Sequence, residues 1–132
     1  MARTILLWLL ALAVAAEAAL AAGAFFAPAF TLAQFQVRYS PETAFLGYVL
    51  GWTLLFITLV AALAFSQVWR RRPHFYVLCY LLGFWWIGLG LGIYLAFGRP
   101  ANLALDTAKG LLIVLAAWRC QAQRLMTRRY YT

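Results

Sequence analysis

FYVLCYLLGFWWIGLGLGIYLAF, residues 75–97, runs twenty-three residues without an Asp, Glu, Lys, Arg or His. At 1.5 Å per residue a helix of this length reaches about 35 Å, enough to cross the ~30 Å hydrocarbon core of a bilayer. Hydrocarbon supplies no hydrogen bonds, so the backbone N–H and C=O groups of such a run must pair within the segment, which only a helix allows. A membrane barrel would instead show strands of alternating polarity. Only Phe35-Gln36-Val37-Arg38-Tyr39 alternates, and it lies in a connection.

Three more runs of the same kind flank this one: Ile5 to Ala27, Ala44 to Val68, and Leu103 to Trp118. The expected fold is therefore all-α, an integral membrane four-helix bundle forming a single transmembrane domain over 1–132. Its helices are expected at about 5–27, 44–68, 75–97 and 103–120, followed by a basic tail at 121–132. Composition agrees, with 67% apolar residues, 11% charged residues and a mean hydropathy of +0.85. A soluble domain needs about a quarter charged residues to cover its surface.

The breaks carry start and stop chemistry. Pro28 follows the first run. Ser40-Pro41-Glu42 offers a capping hydroxyl, a proline at the first helical position and an acid in the first turn. Pro73 and Pro100 occupy the same starting position before the third and fourth runs. The connection from Pro28 to Tyr39 is apolar but too short to span, and Phe30, Phe35 and Tyr39 suit a segment lying on the outer interface.

Orientation follows from the cations, because short loops rich in Lys and Arg stay on the cytoplasmic side. Arg3 lies at the amino end, Arg70, Arg71 and Arg72 in the second connection, and Arg119, Arg124, Arg128 and Arg129 at the carboxyl end. The other two connections hold one arginine each, Arg38 and Arg99. With four crossings this places both termini in the cytoplasm and the protein in the cell's inner (plasma) membrane. The net charge of +8 is thereby read as topology signal and headgroup binding, with Arg70, Arg71, Arg72, Arg124, Arg128 and Arg129 facing anionic lipid. No nucleic-acid motif interleaves these residues.

A rival reading of the first run is a secretory signal, with Arg3, the apolar stretch from Ile5 and an Ala16-Glu17-Ala18 cleavage pattern. Cleavage would leave three helices and remove Glu17. The apolar run continues through Phe25 and Phe26, which favours a retained helix.

Catalytic and cofactor chemistry find little to work with. The cysteines, Cys79 and Cys120, form no C-x-x-C and each reads as a small packing residue. His74 is the one histidine, so a bis-histidine haem is excluded, and the loops lack the carboxylates for a metal site. No Ser/His/Asp set, paired acids or phosphate loop appears. The expectation is a protein that is not an enzyme, with no cofactor and no metal.

The informative residues are ionisable groups inside the runs, since a charge at the centre of a membrane helix costs about 2.5–3.5 kcal/mol and usually faces a partner or water. There are three: Glu17, Asp106 and Lys109. Counted from Arg3 and Arg119, they lie about 21, 20 and 15 Å from the cytoplasmic edge, near one level. Asp106 and Lys109 share a helix face at i, i+3, and Glu17 shares its face with Ala13, Ala21 and Ala24. The expectation is a buried Glu17, Asp106, Lys109 cluster. Trp85 and Trp86 lie at similar depth, where an indole N–H needs a partner, so they join the candidate ligand or proton site. Gly47 and Gly51, Gly88 and Gly92, and Gly110 are read as close-packing positions between helices or between copies.

The early glycines Gly47 and Gly51, the basic second connection, the glycine-rich third run and Asp106-x-x-Lys109-Gly110 opening the fourth resemble the DoxX-like group of small bacterial membrane proteins. The resemblance covers most of the chain in pattern. It implies an accessory membrane subunit, in some members linked to quinone or sulfur redox systems, and carries over no catalytic residue. The expected function is accordingly an accessory or small-ligand, lipid or quinone-binding subunit, with a membrane-protein partner or a second copy. Two alternatives stay open. Glu17 in the first of four helices is similar to the proton-exchanging glutamate of the small multidrug resistance family, which implies a proton-coupled transporter, although that family's aromatic and glycine signature is missing. The polar cluster could also be purely structural, fixing which helices are neighbours.

Overall fold

The computed structural model describes residues 1–129, with side chains described through Gln123. The chain forms α1 (Ala2–Phe26), α2 (Pro28–Gln34), α3 (Ala44–Trp69), α4 (Phe75–Phe97) and α5 (Pro100–Arg129), with no strand among the described residues. Four of these helices are long and apolar enough to cross a membrane: Ala2–Phe26, Ala44–Trp69, Phe75–Phe97 and Pro100–Gln123. The protein is a multi-pass membrane protein. Exposed side chains such as Trp8, Phe56, Leu81, Leu95 and Leu105 are what a lipid-facing surface requires, because lipid tails are as apolar as they are. The side chains of Arg124, Arg128 and Arg129, and residues 130–132, lie outside the described residues.

The helix ends show where local chemistry shifted the expected boundaries. Pro28 does more than stop α1. It occupies the first position of α2, where its missing N–H costs nothing, and Thr31 Oγ1 donates back to the Ala27 carbonyl at 3.3 Å. The segment expected to lie as an interfacial connection is thus partly helical. Ser40 acts as a cap through a reciprocal box: the Ser40 N–H donates to Thr43 Oγ1 at 2.8 Å, and the Thr43 N–H donates to Ser40 Oγ at 3.3 Å. Residues 41–43 form the turn that leads into α3 at Ala44.

Helix C-termini close with left-handed residues. Gln36 (φ 61) follows α2, with Val37 N–H reaching the Leu32 carbonyl at 3.1 Å and Gln36 N–H reaching Ala33 at 3.0 Å, a Schellman pattern. Arg71 (φ 54) repeats it after α3, with Arg72 N–H on Gln67 at 3.0 Å and Arg71 N–H on Val68 at 3.2 Å. Gly98 (φ 64) ends α4 with a single bond to Tyr94 at 2.7 Å.

Contacts divide the chain into two compact units. The first holds Met1–Ala11 and Ala61–Thr132. Its centre is the antiparallel α4–α5 hairpin, in which Gly83 meets Val114, Gly90 meets Thr107, and Tyr80 Oη donates to Gln121 Oε1 at 2.9 Å. In the same unit Arg3 reaches the end of α3, with Nε on the Val68 carbonyl at 3.3 Å and Nη2 on the Trp69 carbonyl at 2.9 Å. A cation there meets both the orphan carbonyls and the negative end of the helix dipole. The second unit, Leu12–Val60, packs Ala21, Ala24 and Leu54 together, with Leu50 and Leu55 against them. Gly51 admits the Phe25 ring, which meets Trp52 edge to face at 5.7 Å between centroids, and Gly47 sits over Pro28.

Replacing Arg3 by Ala removes the α3 cap, and its expected cost is about 1 kcal/mol. Thermal unfolding in mild detergent checks this; Arg3→Lys, which keeps the charge but not the fork, should recover part of the loss.

Candidate functional site

The polar site forms where α5 begins to pack on α4. Asp106 and Lys109 are one turn apart, and Lys109 Nζ lies 3.1 Å from Asp106 Oδ1. Their side chains keep 17% and 23% of their exposure, so the pair is mostly withdrawn yet reachable. On its other side the ammonium stands over the face of Trp86, 4.6 Å from the ring centroid. Such a contact is worth about 2 kcal/mol when desolvated. Trp86 is itself fully buried, at 0% exposure. The cluster therefore joins a charge pair on α5 to an aromatic anchor on α4.

Glycines make this approach possible. A Cβ at Gly110 would collide with the Gly83 carbonyl and fall 2.8 Å from Ile87 Cγ1. A Cβ at Gly83 would strike the Val114 side chain and lie 2.9 Å from the Gly110 carbonyl. One at Gly90 would lie 2.8 Å from Thr107 Oγ1 and 3.1 Å from Asp106 Cβ. The Thr107 hydroxyl is buried in this contact with no hydrogen-bond partner among the described residues.

Neither a family model, nor a characterised protein, nor a solved structure matches this chain. The site is therefore read from its own geometry.

The structure brings together Asp106, Lys109 and Trp86 and sends Trp85 elsewhere. Trp85 is 45% exposed and lines an open groove of about 430 Å³ on the outer face of α4, with Phe84, Gly88, Gly92 and Phe97 among its walls. Gly88 and Gly92 have nothing within 4 Å of an added Cβ, whereas Gly47, Gly51 and Gly110 are all in contact. Glu17 belongs to the second unit and is buried, at 3% exposure. Arg70, Arg71 and Arg72 are exposed in the connection after α3. Among the described residues no group of three or more His, Cys, Asp or Glu side chains could hold a metal ion.

Four contributors escaped the sequence reading: Gly83, Gly90, Thr107 and the Arg3 cap. The seven-residue spacing from Gly83 to Gly90, with Trp86 between them, carries the heptad signal of a helix contact face. Thr107 and Arg3 leave no such signal, since each depends on what a distant segment brings near.

The two glycine sets give opposite expectations. Gly110→Ala should destabilise the protein by about 1–3 kcal/mol through overpacking against backbone. Gly88→Ala and Gly92→Ala should be neutral or raise stability by up to about 1 kcal/mol each through helix propensity. Detergent thermal melts of the three variants, followed by circular dichroism, make the comparison.

Proposed function

We propose that the chain is a non-enzymatic accessory subunit of the cell's inner (plasma) membrane, which binds a lipid-soluble molecule bearing an oxygen acceptor, such as a quinone or a lipid headgroup, at Lys109. In this reading the spans form a four-helix bundle with both termini cytoplasmic. Arg3, Arg70, Arg71 and Arg72 support that orientation, and the contact of Arg3 with the last turn of α3 gathers these cations at one end. The observation that carries the binding proposal is the placement of Lys109. Its ammonium is oriented by Asp106 at 3.1 Å and by Trp86 at 4.6 Å, and its side chain keeps 23% exposure inside a membrane span. A cation in hydrocarbon strengthens any hydrogen bond it donates. The pattern similarity to DoxX-like proteins points the same way.

The test is co-purification. Wild-type protein extracted in mild detergent should retain quinone or a defined lipid. In Lys109→Met, loss of one charge-assisted hydrogen bond, about 1.5–3 kcal/mol, should lower retention about tenfold to a hundredfold. Equal retention in the two proteins would refute ligand binding at Lys109.

One observation favours a second, purely structural reading: Lys109 touches Asp106 on its own helix and Trp86 on the next, so it can fix α4 and α5 as neighbours. That reading expects Lys109→Met to unfold and the double variant Asp106→Asn, Lys109→Met to regain stability, because the uncompensated buried charge is what harms. The buried carboxylate of Glu17 supports a third reading, a proton-coupled transporter. The accessory role expects no proton-driven flux of cationic dye into vesicles, and the same absence in Glu17→Gln.

A further inference from the structure

Two thiols stand apart from the polar site. Cys79 on α4 and Cys120 on α5 are both buried, at 0% and 7% exposure, and are not joined in a disulfide. They lie on the buried stripes of the hairpin, Cys79 one turn before Leu82 and two before Trp86, and Cys120 one turn after Ala117. Register brings the stripes together. Gly83 faces Val114, and the residues directly following the two cysteines touch, Tyr80 Oη donating to Gln121 Oε1 at 2.9 Å. In an antiparallel pair with this register, the turn before Gly83 lies beside the turn after Ala117, which sets Cys79 toward Cys120.

We propose that Cys79 and Cys120 form a two-thiol site for a soft, thiophilic divalent cation held between their sulfurs across the α4–α5 contact. Thiolates select soft cations over oxygen-seeking ions such as Mg²⁺ and Ca²⁺. Charge decides the valence. Two thiols and one divalent cation give M(SR)₂ and release two protons, so a neutral complex replaces two neutral thiols and no net charge is left in the apolar packing. A monovalent cation would leave one negative charge behind. Tetrahedral zinc asks for four ligands, and the described residues offer no group of three. The cation itself thus supplies the pull that deprotonates the two thiols as it binds.

The experiment titrates the full-length protein in mild detergent with mercuric chloride, in the presence of excess N-acetylcysteine as a monothiol competitor. Wild-type protein should retain one mercury per chain, with thiolate-to-mercury absorption saturating at one equivalent. Cys79→Ser and Cys120→Ser should each lower retention by about a hundredfold or more, because a single thiol lacks the chelate advantage over the competitor. Undiminished retention in either folded variant overturns the site. The stoichiometry of the wild type decides independently of whether the variants fold: two mercury ions per chain, one on each thiol, overturns it equally.

Discussion

Hydrocarbon offers a polar group no partner, so every such group carried into the membrane must be matched by the protein itself. The hydroxyls inside the spans follow this rule locally. Thr53 Oγ1 donates to the Val49 carbonyl at 2.8 Å, and Thr58 Oγ1 to Leu54 at 2.7 Å, each one turn back along α3. Lys109 follows it with Asp106, again within one turn. Helix ends meet it with left-handed caps at Gln36, Arg71 and Gly98, and α3 adds the guanidinium of Arg3. Thr107 is the exception among described side chains, and it sits where Gly90 lets α4 come close to α5. Close backbone approach there outweighs one unmatched hydroxyl.

That approach depends on which glycines α4 turns toward α5. Gly83 and Gly90 are seven residues apart and share the face that carries Trp86 and Leu82. Gly88 and Gly92 are four apart and look outward. One helix therefore has a glycine face that is closed and another that is open, and only the first sets the distance at which Lys109 meets the Trp86 ring. Between helices in lipid, packing and small residues replace the hydrophobic drive that a soluble core would use. The hairpin is held by that packing, with the ammonium and ring as its polar rivet.

Legibility in the sequence tracked the range of the interaction. The four spans were readable because length and hydropathy alone decide them, and α4 was expected at 75–97, where it lies. Boundaries set by local capping were partly readable: Pro100 opens α5 as a proline start should, ahead of the 103 that hydropathy suggests, whereas Ser40 with Thr43 caps a turn over 41–43 that leaves Pro41 and Glu42 outside α3, and α4 begins at Phe75, two residues past Pro73. The short α2 was missed because an apolar seven-residue stretch has no periodicity long enough to distinguish helix from loop, and only Pro28 hinted at a new start. Side-chain partnerships divided the same way. Asp106 and Lys109 were legible from their spacing, whereas the choice of Trp86 over Trp85 turns on the rotation of α4 about its axis, which adjacent residues cannot reveal.

The rotation matters for what the charge pair can do. Because Asp106 and Lys109 meet on one helix, α5 can enter the membrane with its charge already neutralised, before it finds a neighbour. Specificity for α4 then resides in the cation–π contact and the glycine face and does not require a bridge between helices. An interhelical salt bridge would bury both charges and commit both. An intrahelical one leaves the pair at the seam, oriented by the ring and with both side chains still partly exposed, and an oriented charge pair of this kind is the feature that sets this hairpin apart from simple membrane packing.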